Sequence, residues 1–159
     1  MTSIYFFREY DKNHGYMSNF YTVKFKDSDG VLFTCSEQYF MYYKCKLFDP
    51  LNTTLKNNII QESGPYKIKK LGRQVKNYNE DMWGKLRYGI MLDALRCKFG
   101  QNLDLKERLK NTNDSVLYEA SKYDKIWGIG YDAATALTVD KSKYGQNLLG
   151  KVLMQVRDE

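Results

Sequence analysis

The stretch Thr34-Cys35-Ser36-Glu37-Gln38-Tyr39-Phe40-Met41-Tyr42-Tyr43-Lys44 decides how the rest of the chain is read. It carries no Gly or Pro and follows a short alternating segment, so it is predicted to open a helix. On a period of about 3.6 residues, Glu37, Phe40, Met41 and Lys44 share one face. Glu37 and Lys44 then sit about two turns, or roughly 10.5 Å of axis, apart. A sugar-sized object fits between a carboxylate and an ammonium so placed. Two plainer roles stay open. Thr34 and Glu37 fit a capping box, in which the carboxylate serves only the first free N–H groups of the helix. Lys44 fits a solvated lysine whose stem covers apolar surface.

With 159 residues, the chain is expected to form one domain, 1–159, large enough to bury about two thirds of its unfolded surface. A net charge of +6 and a pI of 9.1 favour phosphate-bearing partners but fall short of a dedicated nucleic-acid binder. Cys35, Cys45 and Cys97 are odd in number and lack metal-ligand spacing, which fits a reducing compartment. No stretch reads as a signal peptide or a membrane span, so a soluble, cytoplasmic protein is expected. The single histidine, His14, lies in the turn-like string Asp11-Lys12-Asn13-His14-Gly15. Any Ser-His-Asp triad or histidine-based zinc site would have to rest on it alone, which leaves carboxylates, Lys and Tyr for proton and nucleophile chemistry. No metal and no organic cofactor is indicated.

Ile4-Tyr5-Phe6-Phe7 reads as a buried strand. Tyr21 to Lys26 alternates with period two, Asp29-Gly30 signals a hairpin and Val31-Leu32-Phe33 returns, delivering the chain to the Glu37 helix. Asp49-Pro50 is read as the cap and first residue of a second helix running to Gln61. A short basic helix follows Pro65 and ends at Gly72 as a C′ residue; Lys67, Lys69, Lys70, Arg73 and Lys76 make it the most basic run in the chain, either a solvated face or a phosphate clamp. Asn79-Glu80-Asp81 caps a long helix with Trp83, Leu86, Ile90, Met91, Ala94, Leu95 and Phe99 near helical spacing, the expected central core helix. Val116 to Glu119 is a possible strand. Asp124-Lys125-Ile126-Trp127-Gly128-Ile129-Gly130 fits a tight turn or a pocket wall. Tyr131 to Gly145 is polar and long enough to act as a lid, and an amphipathic helix from Asn147 closes the chain.

Taken together, these strings resemble the NADAR, or YbiA-like, family of N-glycosidases. The carrying residues are Ser18-Asn19-Phe20; Ser36-Glu37-Gln38-Tyr39-Phe40 with Lys44; Leu71-Gly72-Arg73; Trp83 with Arg87 and Met91; Lys98-Phe99; Asp124 with Trp127-Gly128-Ile129-Gly130; and Asn147-Leu148-Leu149-Gly150 with Leu153-Met154 and Arg157. Their order is collinear over nearly the whole chain.

The resemblance implies a single α+β domain, dominated by helices with a few short strands including an N-terminal hairpin. It implies hydrolysis of a bond between nitrogen and the anomeric carbon of a ribose, either in phosphorylated ribosylaminopyrimidine intermediates of riboflavin synthesis or in ADP-ribosylated guanine of nucleic acid. It puts Glu37 at the catalytic carboxylate, Lys44 at an active-site lysine and Asp124 at a second acidic element. It places Ser18, Asn19, Phe20, Tyr39, Arg73, Trp83, Trp127, Gly128 and Asn147 along the substrate. The chain departs from the pattern at Gln38, where many relatives have His, at Tyr42-Tyr43 before the lysine, and in a longer segment from Ala133 to Gln146. A reading from another class stays open: a silent binding module for ADP-ribose or nucleic acid.

Overall fold

The computed structural model describes residues 2–159. In chain order these form β1 (Ser3–Phe6), β2 (Phe25–Lys26), β3 (Leu32–Phe33), α1 (Ser36–Phe48), α2 (Thr53–Gln61), α3 (Pro65–Gly72), α4 (Glu80–Gln101), α5 (Leu103–Lys110), β4 (Val116–Glu119), α6 (Ala133–Ala136) and α7 (Leu148–Asp158). The chain is α+β and helix-dominated, as expected. It forms two compact units, one from residues 2–18 with 102–159, the other from 19–101.

In the unit of residues 19–101, α1 packs against α2, α3 and α4. The predicted hairpin is present but short: β2 and β3 pair antiparallel, Phe25 opposite Phe33, around Gly30 at φ +80°. Phe25, Phe33, Tyr39 and Tyr43 form an aromatic core, with Tyr39 and Tyr43 ring centroids 4.4 Å apart. The Tyr43 hydroxyl donates to Asp27 Oδ2 at 2.6 Å, which gives the polar tip of this half-buried ring a partner.

Local expectations fail at three points. The α1 cap is Cys35, without a side-chain cap bond, so the Thr34–Glu37 capping box does not form; the Glu37 N–H donates to the Asn19 carbonyl instead. Asp49 caps the end of α1 rather than the start of α2, whose cap is Asn52, its side chain accepting from the Leu55 N–H. Gly72 is the last residue of α3 rather than a residue beyond it, and Met41 packs over it: a Cβ there would sit 1.9 Å from the Met41 sulfur and displace that side chain.

In the other unit, β1 and β4 pair in parallel, Ser3 opposite Val116 through Phe6 opposite Glu119, and α7 packs on β4. Gly150 allows that approach: a Cβ would lie 2.1 Å from the Leu117 carbonyl oxygen. Arg157, buried, donates from Nη1 to the Ser115 carbonyl at 2.7 Å and fastens the far end of α7. The polar stretch from Tyr131 contains α6 and a short 3-10 turn at Lys141–Lys143.

Lys98 of α4 is fully buried, its Nζ 5.2 Å from the Phe99 ring centroid and 5.7 Å from that of Tyr21. Burial pushes its ammonium down to about 7, with Cys35 as a smaller opposing influence. The unfolded chain holds this proton up to about pH 10.4, so above about 7 the unfolded state binds more protons and stability rises with pH. Urea unfolding of wild type and Lys98→Met between about pH 7 and 8, where the comparison cancels the groups common to both, is expected to show wild type gaining up to about 1.4 kcal/mol per pH unit over the variant. Parallel pH profiles would contradict the buried amine.

Candidate active site

Within residues 19–101, α1 places Glu37 and Lys44 on one face. Glu37 is 9% exposed and Lys44 half-buried. The Lys44 ammonium donates to the Gly72 carbonyl at 3.0 Å, at the end of α3, and lies 4.9 Å from the centre of the Tyr78 ring. Desolvation depresses its pKa; Glu37 and Glu80 act the other way, and the Arg73 guanidinium adds to the depression. The structure therefore brings Glu37, Lys44 and Arg73 into one electrostatic neighbourhood. Arg73 caps α3 and is exposed.

The remaining candidates in this unit take supporting positions. Asn19 accepts the Ser36 hydroxyl on its side chain at 2.8 Å and the Glu37 N–H on its carbonyl at 3.0 Å, fixing the first turn of α1. Phe20 meets Tyr66 edge-on at 5.1 Å. Trp83 is buried against Phe40 and Phe48. Tyr39 belongs to the aromatic core. Gln38 ties elements together. Its amide donates to the Ile59, Ile60 and Glu62 carbonyls at 2.9, 3.1 and 3.0 Å, and its oxygen accepts the Thr34 N–H at 2.8 Å. An imidazole could not make all these bonds.

In the unit of residues 2–18 with 102–159, backbone bonds gather Asp124, Trp127, Gly128 and Asn147. Asp124 Oδ1 accepts the Ile126 and Trp127 N–H groups at 2.9 Å each, closing a tight turn. The carbonyls of Ile126, Trp127 and Gly128 accept the N–H groups of Leu148, Leu149 and Asn147, which satisfies free donors at the start of α7. Asn147, at φ +54°, donates to the Leu117 carbonyl and accepts the Glu119 N–H. A Cβ on Gly128 would come within 2.9 Å of the Glu119 carbonyl oxygen. Gly128 thus serves close backbone packing, and Gly130 a turn at φ +80°. Ser18 is buried and ends the 3-10 turn Gly15–Met17.

The NADAR domain profile matches residues 5–159. The chain belongs to the NADAR domain family. It is 40% identical to an N-glycosidase of Acanthamoeba polyphaga mimivirus over 97% of this chain and 94% of that protein. A riboflavin biosynthesis protein of Vibrio vulnificus is 33% identical over 98% of this chain, which spans 38% of that longer protein. The NMR structure of Escherichia coli YbiA superposes with a TM-score of 0.77 at 30% identity, covering 99% of this chain and 83% of that one.

Around Lys44 this NADAR chain also carries residues that the sequence pattern did not place in the site. The Tyr78 hydroxyl bonds Glu80, and Glu80 accepts Arg87 Nη1 at 3.2 Å. Arg87 is 12% exposed at its side chain and its buried Nε has no hydrogen-bond partner among the described residues. Leaving such a donor unpaired costs about 1–3 kcal/mol. Glu80, Trp83 and Arg87 stand three and four residues apart on α4, the spacing of one helix face, and that spacing was the available signal.

The opposing influences on Lys44 make a directional test. Glu37→Gln is expected to deepen the depression of the Lys44 pKa and Arg73→Gln to relieve it, read from the Lys44 Nζ titration by NMR. Shifts of the same sign in both variants would contradict the arrangement.

Proposed function

We propose that this chain is an N-glycosidase that hydrolyses the bond between the anomeric carbon of a phosphorylated ribosyl group and the nitrogen of a pyrimidine amine. The observation that carries this reading is the placement of Glu37 and Lys44 on one face of α1, Glu37 largely buried and Lys44 half-buried with its ammonium on the Gly72 carbonyl. The relatives named as N-glycosidases and as riboflavin biosynthesis proteins support the reaction class and the substrate respectively.

Cleavage develops positive oxocarbenium character at the anomeric carbon. A carboxylate held in a largely buried position interacts with that charge more strongly than it would in water, and it can take the proton of the attacking water. The nitrogen leaves with a proton and the anomeric carbon gains a hydroxyl. Lys44, fixed through the Gly72 carbonyl, orients the sugar; its lowered pKa also raises the fraction of neutral amine, which covalent attack on that carbon requires. Arg73 is exposed beside this ammonium and offers a planar fork to the phosphate. Asp124 and Trp127 are assigned as a second acidic group and an aromatic wall on family resemblance.

A second reading, removal of ADP-ribose from guanine in nucleic acid, is favoured by one observation. The basic α3 run, with Lys67, Lys69, Lys70 and Arg73 exposed, ends at the carbonyl that holds Lys44. Polynucleotide phosphates would find a cationic track leading to the lysine.

Base release followed by chromatography separates the readings. A ribosylaminopyrimidine phosphate is expected to be cleaved, with Glu37→Gln slowing release at least about 100-fold. Guanine-ADP-ribosylated DNA as the better substrate, with activity falling steeply as salt rises, would select the second reading. Release from neither substrate by folded wild type, or full activity in Glu37→Gln, would overturn the proposal.

A further inference from the structure

A concave site lies in the unit of residues 2–18 with 102–159. The loop before the 3-10 turn Gly15–Met17 and the segment after α5 border an open surface hollow of about 360 Å³ whose lining includes half-buried His14 and exposed Arg108, Asn13, Asn111 and Asn113, with Ile4 as an apolar contact. This volume falls within the range of about 300–1,000 Å³ usual for small-molecule sites. Among the described residues, no carboxylate lines it. Of the acids that adjoin the lining in sequence, Asp11 turns Oδ1 into the N–H groups of Asn13 and His14, at 2.8 and 3.0 Å, and Asp114, between Asn113 and Ser115, is exposed.

Arg108 is held in advance of any ligand. Its guanidinium lies over the Tyr16 ring at 4.3 Å, and Nη2 donates to the Lys12 and Asn13 carbonyls at 3.2 Å each. Nη1 and Nε donate to none of the described residues and form the free edge of the fork. Tyr16 is itself 2% exposed, so the platform beneath the guanidinium is fixed. The end of α5 would repel an anion through its free carbonyls. Here several of those are occupied: Glu107 accepts the Asn111 N–H, Leu109 accepts both the N–H and the hydroxyl of Thr112, and Lys110 accepts the Asn113 N–H. Asn113 takes a left-handed backbone, φ +54°, that places it on the tight turn following the helix.

The donor set defines the ligand. A preorganised guanidinium edge with an imidazole beside it suits a phosphate dianion. Side-chain carboxamides pair with the donor and acceptor edges of nucleobases, and three of them line this cavity. We propose that this cavity is a binding site for a nucleoside monophosphate, its phosphate on Arg108 and His14 and its base against the carboxamides of Asn111 and Asn113. The inference does not depend on the glycosidase reading, since it concerns other residues and its test reads binding alone.

His14 is the chain's single histidine, so its ring gives unique NMR signals. These signals are followed at constant pH while inorganic phosphate, adenosine 5′-monophosphate and adenosine are added separately to the full chain. The monophosphate is expected to shift them saturably, with half-saturation at lower concentration than inorganic phosphate. Arg108→Gln is expected to weaken the monophosphate by about tenfold or more. Asn111→Ala, which removes an exposed side chain with no bond of its own, is expected to weaken the monophosphate while leaving inorganic phosphate unchanged, an outcome that unfolding would not produce. Three results would overturn the site: no shift up to about 10 mM monophosphate, a shift that rises linearly as for general attraction to a cationic protein, or an undiminished response in Arg108→Gln. Equal response to adenosine and to the monophosphate would remove the phosphate assignment and with it the proposal.

Discussion

The carboxamide of Gln38 holds α1 in place. Its donors close off the Ile59, Ile60 and Glu62 carbonyls at the end of α2, while its oxygen receives the strand-side N–H of Thr34. Buried carbonyls left unpaired would be costly, so this one side chain fixes the rotation of α1 about its own axis. Glu37 is its neighbour in sequence and inherits that orientation; Lys44, two turns on, is fastened separately through the Gly72 carbonyl. The helix face that carries the proposed chemistry is therefore set by backbone satisfaction on either side of it.

The same arrangement explains why a lysine and a carboxylate can share this face without cancelling each other. A surface pair would be worth little and would leave both groups fully ionised. Here desolvation and Arg73 work against the ammonium, and Glu37 and Glu80 work for it. The balance leaves an amine more readily neutral than a solvated lysine, beside a carboxylate with little access to water. In the proposed reaction, that combination would serve glycosidic cleavage better than either a strong ion pair or two independent charges.

Long periodic elements were legible in the sequence: α1, α4 and α7 appear where their spacing placed them, and the Asp29-Gly30 turn opens a hairpin. Short-range capping signals misled because the same residue types serve either end of a helix. Asp49-Pro50 looks like a helix start, yet Asp49 closes α1 and the chain needs Asn52 before it can begin α2. The parallel pairing of β1 with β4 joins segments far apart in sequence and carries no local signal. Of the candidate residues, helical spacing puts Glu37 and Lys44 on one face of α1, while Asp124, Trp127 and Asn147 come from the family strings alone. Gln38 looks like a mere departure from the family pattern in the sequence, because its partners come from α2. Tyr78, Glu80 and Arg87 were missed because their relation to Lys44 passes through a turn whose path local sequence does not fix.

The most direct test of the account is where the sugar product binds. Amide and lysine side-chain NMR during titration with ribose 5-phosphate should show saturable shifts at Glu37 and Lys44, with the Lys44 response reduced in Arg73→Gln. Saturable binding that leaves Glu37 and Lys44 unperturbed would contradict the claim that this face of α1 receives the ribosyl group.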